Sequence, residues 1–287
     1  MSAPIPKLAG VCGWPIHHSL SPALHGWWLR KLRLAGAYVP FLVRADEAGR
    51  AFRSLPKTSI AGVNVTLPLK RTAWEAADLR TPDAERVGVA NCLYMRDGGL
   101  VAHNTDVEGF AAPLLARRTA AQLAHTTAVV VGAGGASRAV LGALLGLGVP
   151  EIRLTARRNR QARERADAMA VPNLHTLPWE SRHEALRGAG LIINATSAGL
   201  AGSEPLDLRL GVSSPDALVY DLIYTPRETP LLREARLRGL ETLDGLPMLV
   251  AQARPAFELF YGVRPPDDLD PLPWLEAHLA PPPSGIA

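Results

Sequence analysis

The sequence predicts an α/β fold, with a parallel sheet in its second half. Three observations carry this reading. Residues 128–131 (AVVV) form an uninterrupted apolar, mostly β-branched run, as a strand covered on both faces requires. Gly132, Gly134 and Gly135 crowd the turn that follows, and residues 137–146 have helical composition. Beyond them, strand-like and helix-like stretches alternate as far as residue 242, the pattern of parallel strands joined by helices.

The glycine turn carries its own chemistry. Gly132 and Gly134 occupy the first two glycine positions of the dinucleotide fingerprint, and Ser137 stands where the third small residue belongs. Ala133, Gly135 and Ala136 keep the rest of the turn small. Small residues let the backbone bend sharply and approach a pyrophosphate, while the new helix offers its free N–H groups to the phosphate charge. Three glycines can also make a plain turn; the strand before and the helix after favour nucleotide binding. The next strand, 151–155 (EIRLT), refines the expectation. An NAD site places an Asp or Glu near the end of this strand to bind the ribose 2′-hydroxyl. Here Ala156, Arg157, Arg158, Asn159 and Arg160 follow, with no acid. Guanidinium forks suit a 2′-phosphate, so the expected cofactor is NADP. A solvated basic helix start is the alternative, because Arg163 and Arg165 continue the run.

Composition narrows the class. A chain of 287 residues suits two domains or one large one. A net charge of only +4 implies no strong field for nucleic acid, which is not an expected partner. No apolar run reaches the length of a membrane span and no signal peptide opens the chain, so no membrane partner and a cytoplasmic location are expected. Cys12 and Cys92 sit in apolar contexts, as buried free thiols of a reducing compartment do. There are only four lysines, Lys7, Lys31, Lys57 and Lys70, which makes each worth examining.

The first half reads in order as follows. Residues 8–13 (LAGVCG) are the first strand. Ser21 followed by Pro22 is a helix start, a capping hydroxyl and then proline at the first helical position. Leu24, Trp27, Trp28 and Leu32 follow at helical spacing. Ser19 is not needed for that cap; two hydroxyls at a strand–helix junction suit a small anion or a polyol as well as capping. His17, His18 and His25 lack metal-ligand spacing, so no metal is expected. Residues 37–43 (AYVPFLV) are a strand, placed at an edge or bulge by Pro40. A helix over 46–55 and a strand over 60–66 (IAGVNVT) follow, and Pro68 is expected at the first position of another helix. Asn64, Thr66 and Lys70 then surround one strand-to-helix turn, where α/β sheets collect ligand groups. Lys70 there sits at the positive end of the helix dipole. A solvated surface lysine is the ordinary alternative; the polar trio inside apolar sequence argues against it. Residues 87–94 (VGVANCLY) read as a strand, and Asn91 inside it must hold a turn or touch a ligand. Gly98-Gly99 makes a hairpin-like turn. Asp106 either caps a helix over 107–116 or points a carboxylate into a cleft.

The second half adds a helix over 161–169 and a strand over 191–193, closing on Asn194-Ala195-Thr196-Ser197. A strand over 217–224, a helix over 230–238 and a short strand over 239–242 follow. A helix over 247–261 carries Leu249, Ala253, Ala256, Phe257 and Phe260 on one face, with Gln252 beside it. The tail from Arg264 is proline-dense, with a short helix over 274–279.

Taken together, eight ordered segments resemble the shikimate dehydrogenase family over nearly the whole chain: HSLSP (18–22), NVTLPLK (64–70), GVANCL (88–93), HNTD (103–106), GAGGASRAV (132–140), NATSAG (194–199), YDLIYTP (220–226) and DGLPMLVAQARPAF (244–257). The resemblance implies a substrate-binding α/β domain over 1–107, completed by 243–287, and a Rossmann-type NADP domain over 108–242. It implies reversible hydride transfer between NADPH and the C3 carbonyl of 3-dehydroshikimate, giving shikimate. Lys70 and Asp106 would be the catalytic pair; which of them transfers the proton stays open at this stage. Ser19 and Ser21, helped by Tyr224, would hold the substrate carboxylate. Asn64, Thr66, Asn91 and Gln252 would bind the ring hydroxyls. The cofactor would meet Gly132, Ala133, Gly134, Gly135, Ala136, Ser137, Arg157, Arg158, Thr196, Ser197 and Gly245. A homodimer is kept open. Two departures matter. Cys92 replaces the threonine usual after Asn91, and Ala156 replaces the asparagine usual before Arg157. They leave a quinate/shikimate or aminoshikimate dehydrogenase, including one that uses NAD, as the alternative.

Overall fold

A computed structural model of the chain describes residues 5–279. The first unit runs β1 (Lys7–Gly13), α1 (Ser21–Lys31), β2 (Gly36–Leu42), α2 (Ala48–Ser54), β3 (Ile60–Val65), α3 (Lys70–Ala76), β4 (Leu79–Arg80), α4 (Pro82–Val87), β5 (Cys92–Arg96) and β6 (Gly99–His103). Its mixed sheet has the order β2-β1-β3-β5-β6-β4. Pro40 falls in the edge strand β2, where a missing N–H is tolerated.

Several local expectations need correction. Ser21 does not cap α1. It is the first helical residue, Leu20 takes the cap position without a side-chain bond, and the Ser21 N–H instead reaches Ser19 Oγ at 3.3 Å. Pro68 does not open α3; the Leu69 N–H closes a turn on the Thr66 carbonyl at 3.0 Å, and the helix starts at Lys70. The run 87–94 is not one strand. α4 starts at Thr81-Pro82 and ends on Gly88 at φ 64°, and β5 begins only at Cys92. Val89 and Ala90 are apolar because the linker is buried, not because it pairs in a sheet. The hairpin turns on Asp97 and Gly98, φ 53° and 80°, so Gly99 already belongs to β6.

The second unit follows α5 (Asp106–Leu115) and α6 (Ala120–Leu123). It contains β7 (Thr127–Val131), α7 (Gly135–Gly146), β8 (Glu151–Thr155), α8 (Asn159–Met169), β9 (Leu174–Leu177), α9 (Arg182–Ala185), β10 (Leu191–Asn194), β11 (Leu218–Asp221), α10 (Pro230–Leu237) and β12 (Glu241–Leu243). All neighbouring strands are parallel, in the order β12-β11-β10-β7-β8-β9. The strand order reverses between β7 and β10, the switch point at which such sheets bind ligands. β7 is buried on both faces, as expected: Ala128 and Val130 face one apolar cluster, Val129 and Val131 the other. The edge strand β9 carried no sequence signal. β12 starts two residues later than expected, because Gly239 still turns the chain at φ 73°.

α11 (Leu246–Tyr261) leaves the second sheet and returns to the first. Phe257 and Phe260 enter the cluster that contains Trp28 and Tyr38, and the Tyr261 hydroxyl donates to the Ala37 carbonyl at 2.9 Å. α5 packs against both α11 and α7, so it is the shared wall between the units. α12 (Leu272–Leu279) closes over α1, with Trp274 stacked on Trp27. The ends of the expected first domain, 1–4 and 280–287, lie outside the described residues. No helix among the described residues is long and apolar enough to cross a membrane. Both cysteines are buried and free, and burial pushes the Cys12 thiol up to about 12.

His25 makes this core pH-sensitive. Its ring is fully buried, stacked 3.9 Å from Tyr38, and neither nitrogen has a partner among the described residues. Burial lowers its pKa to about 3, so the folded chain holds a neutral ring where the unfolded chain titrates near 6.5. The unfolded state therefore binds the extra proton. This contribution to stability is complete above about pH 6.5 and falls as pH drops toward 3, by up to about 1.4 kcal/mol per pH unit. His25→Phe should flatten that slope. Urea midpoints between pH 4.5 and 7.5 measure it; parallel curves for wild type and variant would refute it.

Candidate active site

The site is assembled where β3, the start of α3 and the start of α5 converge. Lys70, first residue of α3, places Nζ 2.5 Å from Asp106 Oδ2, with only 11% and 10% of the two side chains exposed. Asp106 is the first residue of α5, but it is not the cap. Asn104 Oδ1 accepts the N–H groups of Asp106 and Val107 at 3.1 and 3.3 Å, which leaves the Asp106 carboxylate free for other work. Of the two sequence readings for Asp106, the inward carboxylate is the one this geometry matches.

Asn91 organises the next layer. Its Oδ1 accepts the Thr105 N–H at 2.7 Å, which orients the amide. Its Nδ2 then faces Asp106 Oδ1 at 2.7 Å, Thr105 Oγ1 at 2.9 Å and Gln252 Oε1 at 3.4 Å. Gln252 arrives from α11 and donates to the Leu249 carbonyl at 2.8 Å. Asn64 Nδ2 donates to the Asn91 carbonyl at 3.2 Å, and Asn64 Oδ1 accepts from the Tyr38 hydroxyl at 2.7 Å. Burial raises the Tyr38 pKa, and the nearby Ser21 works weakly against that rise. Thr66 stands one residue past β3, with its N–H on the Cys12 carbonyl at 2.9 Å. Cys92 is fully buried; burial, and secondarily the charge of Asp106, raises its pKa, so it stays a neutral thiol. The amide network around Asn91 closes without it.

Ser19 and Ser21 form a second group. Tyr224, just beyond β11, packs against the same apolar cluster as Leu20, the residue between them: burial raises its pKa, and the Leu20 backbone works against that rise. A chain of hydrogen bonds thus runs from Tyr38 through Asn64, Asn91 and Asp106 to Lys70. Thr105, Asn104 and Tyr38 were not singled out as site residues from sequence. Asn104 stood in plain view two residues before a helix start; Tyr38, inside an apolar strand, carried no signal.

The glycine turn lies directly beside this pair. Gly132 has φ 113°, and a Cβ there would meet Thr196 Cγ2 at 2.8 Å, so glycine is required twice over. Thr196 is held in place by Asn194 Oδ1 at 2.7 Å, while Ser197 is exposed. Gly134 precedes α7, and a Cβ added to it would meet nothing within 4 Å, so open space lies over the first turn of that helix. Ala133 and Ser137 are buried, Ala136 is half-buried, and Ser137 Oγ bonds the Gly134 carbonyl at 2.8 Å. A Cβ on Gly135 would stand 3.6 Å from Lys70 Cδ. Arg157 and Arg158 are exposed just past β8, and neither pairs with an acid among the described residues. Gly245 is wedged against the Leu222 carbonyl, and its N–H is taken by the Ile223 carbonyl at 3.0 Å. Open space at a helix N-terminus, small residues and two free guanidinium groups fit a phosphorylated dinucleotide.

A doubly wound sheet with this turn at its switch point, facing a buried lysine–carboxylate pair, defines a nicotinamide-dependent dehydrogenase. Residues 11–93 match the family model of the shikimate dehydrogenase substrate binding domain, and residues 114–209 that of shikimate / quinate 5-dehydrogenase. The chain belongs to the shikimate dehydrogenase family. It is 46% identical over 266 residues to a shikimate dehydrogenase (NADP(+)) of Rhodospirillum rubrum, covering 91% of this chain and 94% of that one. Among solved structures it is similar to shikimate 5-dehydrogenase from Thermus thermophilus in complex with NADP(H) and shikimate, at 35% identity and a TM-score of 0.81, over 94% of this chain and 98% of that one. It is also similar to quinate dehydrogenase from Corynebacterium glutamicum in complex with NAD, at 28% identity and a TM-score of 0.83, over 91% and 95% of the two chains.

Proposed function

We propose that this protein is an NADP-dependent shikimate dehydrogenase, which reversibly reduces 3-dehydroshikimate to shikimate on the route to aromatic amino acids. The observation that carries it is the approach of Gly135 to Lys70, which sets the dinucleotide turn against the acid–base pair. The naming of the Rhodospirillum rubrum relative and the contents of the Thermus thermophilus complex support the same reading. The substrate unit comprises residues 1–107 and 243–287, and the cofactor unit 108–242. Two buried free thiols suit work in the cytoplasm.

In this reading Ser19, Ser21 and Tyr224 hold the substrate carboxylate, and Asn64, Thr66, Asn91 and Gln252 its ring hydroxyls. NADP, when bound, supplies or accepts the hydride. Carbonyl reduction builds negative charge on the oxygen, which needs a positioned proton donor. Lys70 Nζ donates that proton and Asp106 holds the ammonium in place. Arg157 and Arg158 take the 2′-phosphate, while the turn from Gly132 to Ser137, with Thr196, Ser197 and Gly245, holds the rest of the dinucleotide.

The test is reduced-nicotinamide absorbance with shikimate and quinate, each with NADP and NAD. Shikimate with NADP should give the highest kcat/KM. A higher value for quinate, or no turnover with either alcohol, would defeat the proposal. The cofactor arm has its own variant. Arg157→Gln with Arg158→Gln should raise KM for NADP about 10–100-fold, the worth of charge-assisted phosphate bonds. KM for NAD should move by less than about threefold on the same grounds, because NAD lacks that phosphate.

A further inference from the structure

Arg165 is a buried charge that none of the steps above uses. It lies in α8 with only 8% of its surface exposed. Its Nη2 donates to the carbonyl of Ala133, inside the glycine turn, at 2.9 Å. Its Nε and Nη1 are buried and have no hydrogen-bond partner among the described residues. All three nitrogens are thus accounted for, and none meets a carboxylate. A guanidinium keeps its charge throughout the working pH range, and burying one without an anion is costly. The neighbouring arginines differ: Arg157, Arg158, Arg160 and Arg163 are exposed.

The turn that Arg165 grips is the one whose small residues and helix N-terminus suit a pyrophosphate. We propose that Arg165 is a positioning residue for the dinucleotide: it pins Ala133 from behind the turn and supplies a fixed positive charge that the arriving pyrophosphate neutralises. The proposal rests on the dinucleotide reading of that turn. Charge inside a protein is poorly screened, so Arg165 acts through the turn without touching the ligand. It acts on the phosphates that NADPH and NADH share, whereas Arg157 and Arg158 act on the 2′-phosphate of NADPH alone.

Two substitutions separate charge from hydrogen bonding. Arg165→Gln keeps a donor for the Ala133 carbonyl and loses the charge. Arg165→Lys keeps the charge. NADPH and NADH affinities are measured on the free protein by nicotinamide fluorescence and calorimetry, with folding checked by circular dichroism. Arg165→Gln should raise both dissociation constants about tenfold, which is about 1.4 kcal/mol. Arg165→Lys should stay within about threefold of wild type, or about 0.7 kcal/mol. Should the Gln variant not fold, Arg165→Met repeats the measurement with an apolar side chain of similar length. Wild-type affinity in the uncharged variant, a loss confined to NADPH, or a Lys variant as weak as the Gln variant would each overturn the proposal. A wild-type protein that binds neither cofactor would instead refute the dinucleotide reading.

Discussion

Lys70→Ala should lower kcat about 10²–10⁴-fold, the usual contribution of a positioned acid–base group. NADPH affinity should hardly change. The asymmetry follows from position. Lys70 Nζ is held 2.5 Å from Asp106 Oδ2 in a pocket that leaves about a tenth of either side chain exposed. Its stem, not its ammonium, is the part nearest Gly135. Truncation therefore removes the proposed proton donor and leaves the glycine turn intact. It also strips one partner from a buried carboxylate, and Asn91 Nδ2 on Asp106 Oδ1 compensates only in part. Steady-state kcat with shikimate and a fluorescence titration of NADPH decide the matter together. Equal losses in both would mean that Lys70 supports the cofactor site and not the chemical step.

Gly245→Ala should destabilise the fold by about 3 kcal/mol, the upper range for forcing extra carbon into a packed interior. The backbone here is ordinary, at φ −78°, so strain is not the cause. Space is: the new Cβ would stand 2.1 Å from the Leu222 carbonyl oxygen and 2.5 Å from its carbon. Those are backbone atoms at the end of β11, and the Gly245 N–H is itself locked to the Ile223 carbonyl. Relief requires the start of α11 to move, and α11 carries Gln252 toward Asn91 and Thr105. The urea midpoint should fall and KM for shikimate should rise together. A variant with the wild-type midpoint would show that the wedge at Leu222 relaxes freely.

The parts of the fold legible in sequence were those with short-range causes. The β7–turn–α7 unit shows itself because burial on both faces demands an unbroken apolar strand and a tight turn demands glycine. The edge placement of β2 follows from the missing N–H of Pro40. What misled was apolar sequence without a partner in view. Residues 87–94 look like a strand because a buried linker and a buried strand have the same composition. Ser21-Pro22 looks like a cap because the residues allow it; the chain enters α1 one residue earlier, and Ser21 is buried as the first helical residue.

The glycine turn and the arginines after β8 were determined by the sequence alone, since each is a local requirement of phosphate binding; the resemblance to the family, not a local rule, pointed to Lys70, Asp106 and the polar residues proposed to surround them. The direct ion pair of Lys70 with Asp106, the orientation of Asn91 by Thr105, the approach of Tyr224 to Leu20 and the burial of Arg165 against the Ala133 carbonyl were decided only by the tertiary structure. Each joins residues between 14 and 204 positions apart. Contacts at that separation depend on how two sheets and α11 pack, and no local pattern in a single chain encodes which polar group will meet which.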